Sequence, residues 1–196
     1  MTGPVRIPPL AETEWTDEQR RQLAYAYRQG RFYNVVGTLS RHPDASVRLG
    51  QMGAHVLGAT STLAPRDREL LILRTAVRCR SAYEWAQHVA IARKAGVPDD
   101  DIARCRVGPD ADGWTPFDAA LLRAADELHA EQRIADATWN TLATRYDTRQ
   151  LMDVVFAVGQ YTLIAMALKT FGTPLDAGID VGADPLARLD AAPATG

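Results

Sequence analysis

Between Pro65 and Gly96 the chain reads PRDRELLILRTAVRCRSAYEWAQHVAIARKAG, two apolar runs at helical spacing set almost end to end. Pro65 suits a first helical turn, Ser81 opens the second run, and Gly96 before Val97-Pro98 stops it. The same periodicity recurs along the sequence, and no run of alternating apolar and polar residues bounded by turn signals interrupts it. The chain is therefore expected to be all-α. Helices are predicted near 16–29, 44–60, 65–79, 82–95, 115–131, 135–145 and 147–171, with a short helical turn near 99–105. Thr16 or Asp17 caps the first, and Gly172 with Pro174 ends the last.

At 196 residues, 46% hydrophobic and 23% charged, the chain has enough apolar material for one domain with a substantial core. The expected organisation is an N-terminal arm at 1–15, a helical domain at 16–175 and a C-terminal tail at 176–196, both ends being rich in Pro, Gly, Ala and Asp. GPDADGW at 108–114 is the clearest internal loop.

The formal net charge is −2, and basic residues are interleaved with acidic ones, as in RDRE and DTRQ, which argues against a nucleic-acid partner. Only VVFAVGQYTLIAMAL at 154–168 approaches membrane character; it reads as too short, contains Gln160, and is expected to be a buried core helix with no membrane partner. MTGPVRIPPL lacks the blocks of a signal peptide, and two cysteines with no evident pairing suit a reducing compartment, so the expected location is cytoplasmic. His42, His55, His88 and His129 follow no metal-ligand spacing, and no metal or other cofactor is expected.

The residues that carry chemistry lie within the two opening runs. Glu84 and His88 are four apart and share a helix face, so carboxylate and imidazole can exchange protons. Ser81 with Glu84 also fits a capping box, which offers that carboxylate a structural role as well. Glu69 has Ile72, Leu73 and Ala76 at its i+3, i+4 and i+7 positions, an apolar stripe that turns it inward.

This pattern resembles the carboxymuconolactone decarboxylase and alkylhydroperoxidase D family, whose signature is a Glu followed about a dozen residues later by Cys-x-x-Cys-x-x-x-His. Glu69 and His88 fall on the outer positions, whereas Ser81 and Glu84 stand where the cysteines would be. The likeness is to the longer decarboxylase-like branch with Tyr-Glu-Trp-x-x-His, here Tyr83 to His88, and it extends to 32–43, 63–74 and 117–176. It implies a single-domain bundle of about seven helices, self-associating as a homodimer or larger, with its pocket near the subunit interface. It also implies cofactor-independent acid–base chemistry, decarboxylation or lactone isomerisation, on a small or medium organic acid or lactone. His88, Glu84 and Glu69 would be catalytic, and Tyr83, Trp85, Tyr161, Phe32 and Asn34 would contact substrate, with aromatic packing as the other role open to Tyr83, Trp85 and Tyr161. Two other readings stay open: a thiol peroxidase-like enzyme using Cys79, and a non-enzymatic oligomeric ligand-binding protein.

Overall fold

The computed structural model describes residues 4–23 and 33–179, and these contain nine α-helices, one 3-10 turn and no strand. The helices are α1 Asp17–Leu23, α2 Asn34–Leu39, α3 Pro43–Leu57, α4 Pro65–Arg78, α5 Ala82–Lys94, α6 Asp99–Val107, α7 Pro116–Glu131, α8 Asp136–Ala143 and α9 Thr148–Phe171. The all-α expectation holds. Two short helices raise the count above seven: 99–105 extends to Val107, and α2 has no counterpart in the periodicity. Six residues, NVVGTL, are too few to show a helical repeat, and α2 is held by tertiary bonds instead, Leu10 N donating to Gly37 O at 3.1 Å and Val35 N to the Tyr83 hydroxyl at 3.1 Å. The predicted continuation of the first helix to 29 lies outside the described residues.

Helix α4 occupies the middle of the bundle, packed by α5, α6, α7 and α9. The cause is its sequence: Leu70, Leu71, Ile72 and Leu73 are consecutive, so at 100° per residue they point in four directions, and all four are fully buried. The rest of α4 from Asp67 to Val77 is buried as well, including five polar or charged residues. Each charge among them has a partner. Asp67 accepts from the Tyr146 hydroxyl at 2.7 Å, Arg68 pairs with Glu69, and Arg74 grips both oxygens of Asp126 at 2.6 and 2.7 Å.

Arg74 also donates to the Cys105 and Arg106 carbonyls at 3.0 and 3.2 Å, which fastens the end of α6 to α4. Gly108 follows at φ 115, and a Cβ there would meet the Arg74 guanidinium at 2.6 Å, so the loop needs glycine for conformation and for space. The loop closes when Trp114 Nε1 donates to Gly108 O at 3.0 Å.

The connection from α4 to α5 takes three residues. Arg80 adopts φ 50, and Ser81 N then donates to Ala76 O at 2.8 Å, turning the chain back on itself. The 154–168 stretch belongs to the longer α9, 24 residues opened by an Asp147/Gln150 capping box. By length and composition α9 could cross a bilayer, yet half of its apolar window is buried inside the bundle. The expectation of a buried core helix holds for one side only, since Met152, Val155, Phe156, Leu163 and Met166 are exposed on the other.

Both described ends lie on the body. Arg6 N and Ile7 N donate to Phe171 O at 2.8 and 3.0 Å, and Leu10 and Trp15 are buried against Val36. Replacing Arg74 with Ala leaves Asp126 and two carbonyls without their cation. The expected loss is about 3 kcal/mol of unfolding free energy in urea, at the lower end for a broken buried pair because Asp126 is partly exposed. A loss under about 1 kcal/mol would contradict this role.

Candidate functional site

Glu69 lies in the second turn of α4 and His88 in the middle of α5, at comparable distances from the reversal at Arg80, so the helical hairpin sets them side by side. His88 Nδ1 and Glu69 Oε2 are 2.8 Å apart, and the other oxygen, Oε1, accepts from Arg68 Nε at 3.1 Å. Arg68 Nη1 continues the chain to Leu57 O, at the end of α3, at 3.3 Å. Glu69 is completely buried, and both of its oxygens are satisfied by groups able to carry positive charge. In the neutral form of His88 this arrangement holds the proton on Nδ1 and leaves Nε2 bare. Among the described residues Nε2 has no hydrogen-bond partner.

Tyr161 of α9 meets the His88 ring edge-on, with centroids 4.7 Å apart at 87°. Burial, reinforced by the charges of Glu69 and Glu84 and opposed by Arg68, holds its phenol protonated far above the ordinary range. Tyr161 is thus within electrostatic reach of both carboxylates, and its hydroxyl donates to no described group.

Glu84 departs from expectation twice. It makes no capping box, because the Ser81 N–H that it would bond is already given to Ala76 O. It also makes no hydrogen bond to His88, whose partner is Glu69. Both Glu84 oxygens and the Ser81 hydroxyl are buried without a hydrogen-bond partner. Burial pushes the Glu84 carboxyl up to about 8, the nearby Ser81 hydroxyl and Lys169 charge offsetting this only in part; Ser81 acts on the carboxyl without an aligned hydrogen bond. At neutral pH Glu84 is therefore a carboxylic acid.

The remaining predicted residues are placed differently. The Tyr83 hydroxyl donates to Asp176 and accepts from Val35 N. Asn34 donates through its backbone to Asp176 at 2.6 Å and through its side chain to the Pro174 and Leu175 carbonyls at 3.2 and 3.1 Å. With Gln87, which also donates to Asp176, these two residues fasten the C-terminal segment to α2 and α5. Trp85 is buried in the main core, and Phe32 lies outside the described residues. Arg68 and Asp176 escaped the sequence reading. Arg68 had a signal, a basic residue beside Glu69 in an inward-facing run; Asp176, in a loop far along the chain, had none.

Cys79 caps the end of α4, half-buried, with Sγ 3.6 Å from His129 Nδ1. Burial chiefly, with the Glu84 charge adding to it, raises the thiol above its ordinary range, and burial together with Arg78 lowers His129. Cys105 is fully buried and pushed up to about 12.

Residues 43–127 match the carboxymuconolactone decarboxylase family. No curated protein matches the chain significantly. Among solved structures, the alkylhydroperoxidase AhpD core protein of Ralstonia eutropha JMP134, an uncharacterised peroxidase-related protein, superposes with a TM-score of 0.78 at 18% identity, covering 91% of this chain and 96% of that one. A peroxidase-related protein of Silicibacter sp. TM1040 gives 0.76 at 16% identity, over 91% of this chain and 97% of its own. A variant of the debrominase Bmp8 in complex with 2,3,4-tribromopyrrole gives 0.71 at 14% identity, over 96% and 98%. The fold is that of AhpD-like proteins.

A carboxyl raised by burial ties stability to pH. The contribution of Glu84 is fully present below the ordinary carboxyl range and is lost as pH rises through about 8, by at most about 1.4 kcal/mol per pH unit. Glu84→Gln removes this slope and makes the protein more stable than wild type above pH 8, read from urea unfolding across pH 5 to 9. Parallel pH profiles for the two proteins would contradict the assignment.

Proposed function

We propose that this chain, which carries a carboxymuconolactone decarboxylase family segment at 43–127 in an AhpD-like fold, is a cofactor-independent enzyme that moves protons on a small or medium organic acid or lactone. The observation that carries this reading is the 2.8 Å contact of His88 Nδ1 with Glu69, a carboxylate itself held by Arg68. Such a partner fixes the imidazole and stabilises the charge it gains on taking a proton at Nε2. Glu84, protonated at neutral pH, supplies the complementary acid. Two groups of opposite protonation state can deliver a proton to the carbanion left by decarboxylation or shift one along an unsaturated lactone, so the reaction belongs with the lyases or isomerases. Redox cycling has little support here, since Ser81 and Glu84 replace a dithiol and burial keeps Cys79 as a thiol.

A homo-oligomer is part of the proposal. Met152, Phe156, Leu163 and Met166 recur on the exposed side of α9 at spacings of four, seven and three, the pattern of a helix face that packs on another. A monomer in light scattering would contradict it. A reducing cytoplasm suits the two free cysteines. The closed packing around Glu84 favours one second reading, an oligomeric ligand-binding protein without turnover.

Mutation separates the two. His88→Ala is expected to lower kcat at least about 100-fold with helix content intact, and Glu69→Gln about 10-fold, since it keeps the ring in place but stabilises the imidazolium less. Unchanged turnover in His88→Ala would overturn the acid–base reading.

A further inference from the structure

The turn between α3 and α4 holds a second polar cluster, apart from the α4–α5 hairpin. The chain leaves α3 at Gly58, where a Cβ would meet Ala54 O at 2.3 Å, so the tight exit needs glycine. Ser61 N then donates to Gly58 O at 3.3 Å, closing a turn that presents Thr60 to solvent.

His55, in the last turn of α3, stands between Thr60 and Asp153 of α9. Its Nε2 is 2.8 Å from Asp153 Oδ1, and its Nδ1 is 3.1 Å from Thr60 Oγ1. The second oxygen of Asp153, which is buried, accepts from Thr62 N at 2.8 Å and from the Thr62 hydroxyl at 2.7 Å. Burial works against the Asp153 charge, yet the bonds from Thr62 and from His55 outweigh it and hold the carboxyl below the ordinary range. An ionised carboxylate only accepts, so in neutral His55 the proton sits on Nε2, and Nδ1 is left to accept from the Thr60 hydroxyl.

We infer that Thr60, His55 and Asp153 form an acyl-transfer triad that hydrolyses activated esters of short apolar acids. A hydroxyl within hydrogen-bond reach of an imidazole, whose far nitrogen is fixed by a buried carboxylate, is the arrangement that makes a weak nucleophile reactive. Thr60 is the nucleophile, His55 the base, and Asp153 a positioning residue. A clasp between α3 and α9 would account for the bonds of Asp153 to His55 and Thr62. It does not account for the bond to Thr60, an exposed side chain that fastens nothing further. The backbone amides of Ala59 and Thr60 donate to no carbonyl among the described residues, which leaves the nucleophile's own N–H free for an oxyanion. Met52, exposed one turn before His55 on the same face, offers the acyl chain an apolar contact.

The atoms balance with water as the only co-reactant. Thr60 Oγ1 bonds to the ester carbonyl carbon and gives its proton to His55 Nδ1. The bond from that carbon to the leaving oxygen then breaks, and the leaving oxygen takes the proton from His55. Water repeats both steps on the acyl–Thr60 ester and releases the acid.

The test uses the full-length protein with para-nitrophenyl butyrate, read as nitrophenolate release and, after acid quench, as a butyryl adduct on the peptide that carries Thr60. The expected result is an adduct on Thr60, with Thr60→Ala and His55→Gln each releasing nitrophenolate at least about 10-fold more slowly than wild type. Thr60→Ser keeps the nucleophile and removes its hindering methyl, so it should match or exceed wild type, which separates loss of the hydroxyl from damage to the turn. For Asp153, nitrogen-15 NMR of the neutral His55 ring should find the proton on Nε2 in wild type and both tautomers in Asp153→Asn. An adduct absent from Thr60, release that survives Thr60→Ala or His55→Gln, or a His55 proton resident on Nδ1 overturns the inference, and none of these outcomes bears on His88.

Discussion

Everything in this fold answers to the burial of α4 on every side. A helix with four consecutive large aliphatic residues cannot lie on a surface, so α5, α6, α7 and α9 close around it. Once surrounded, it can keep charged residues only where each is matched, and its charges accordingly become the joints of the bundle. Asp67 reaches Tyr146 before α9, Arg74 gathers α6 and α7, and Arg68 with Glu69 spans from α3 to α5. The Glu69–His88 contact is one of these joints. It holds α4 to α5 as Arg74 holds α4 to α7, and it differs in ending on an imidazole whose second nitrogen has no partner among the described residues.

Glu84 breaks the rule that the charges of α4 obey. A fold that pairs each buried charge on α4 leaves this neighbouring carboxyl, and the hydroxyl of Ser81 beside it, without an aligned hydrogen bond. A carboxyl without a hydrogen bond beside a helix whose charges are all matched is the pattern expected where a site has been kept at a cost in stability. The proton that Glu84 keeps to about 8 follows from its burial, and it is what the proposed function uses as the acid.

Much of this was legible in the residues. Helix positions followed from periodicity, and Pro65, Ser81, Gly96 and Gly172 marked ends that the structure reproduces within a few residues. The apolar neighbours of Glu69 turn it inward, and it is fully buried. The misreadings come from competition that local sequence does not record. Ser81 and Glu84 have the spacing of a capping box, but the reversal at Arg80 gives the Ser81 amide to Ala76 first. Helical spacing paired His88 with Glu84, while a neighbouring helix supplied the stronger partner. Tyr83 and Asn34, expected at the substrate, have polar groups that hold Asp176, more than ninety residues beyond Tyr83, a contact that no short-range pattern could announce. Helix α2 escaped for the same reason, since its bonds come from distant parts of the chain.

The central claim is that Glu69 fixes the tautomer of His88 so that Nε2 is the free base. Nitrogen-15 NMR of the histidine-labelled protein, at a pH where the ring is neutral, reads this directly. The account predicts a proton on Nδ1 and a bare Nε2 in the wild type, with the two tautomers mixing in Glu69→Gln. A proton resident on Nε2, or a tautomer indifferent to Glu69→Gln, would contradict it.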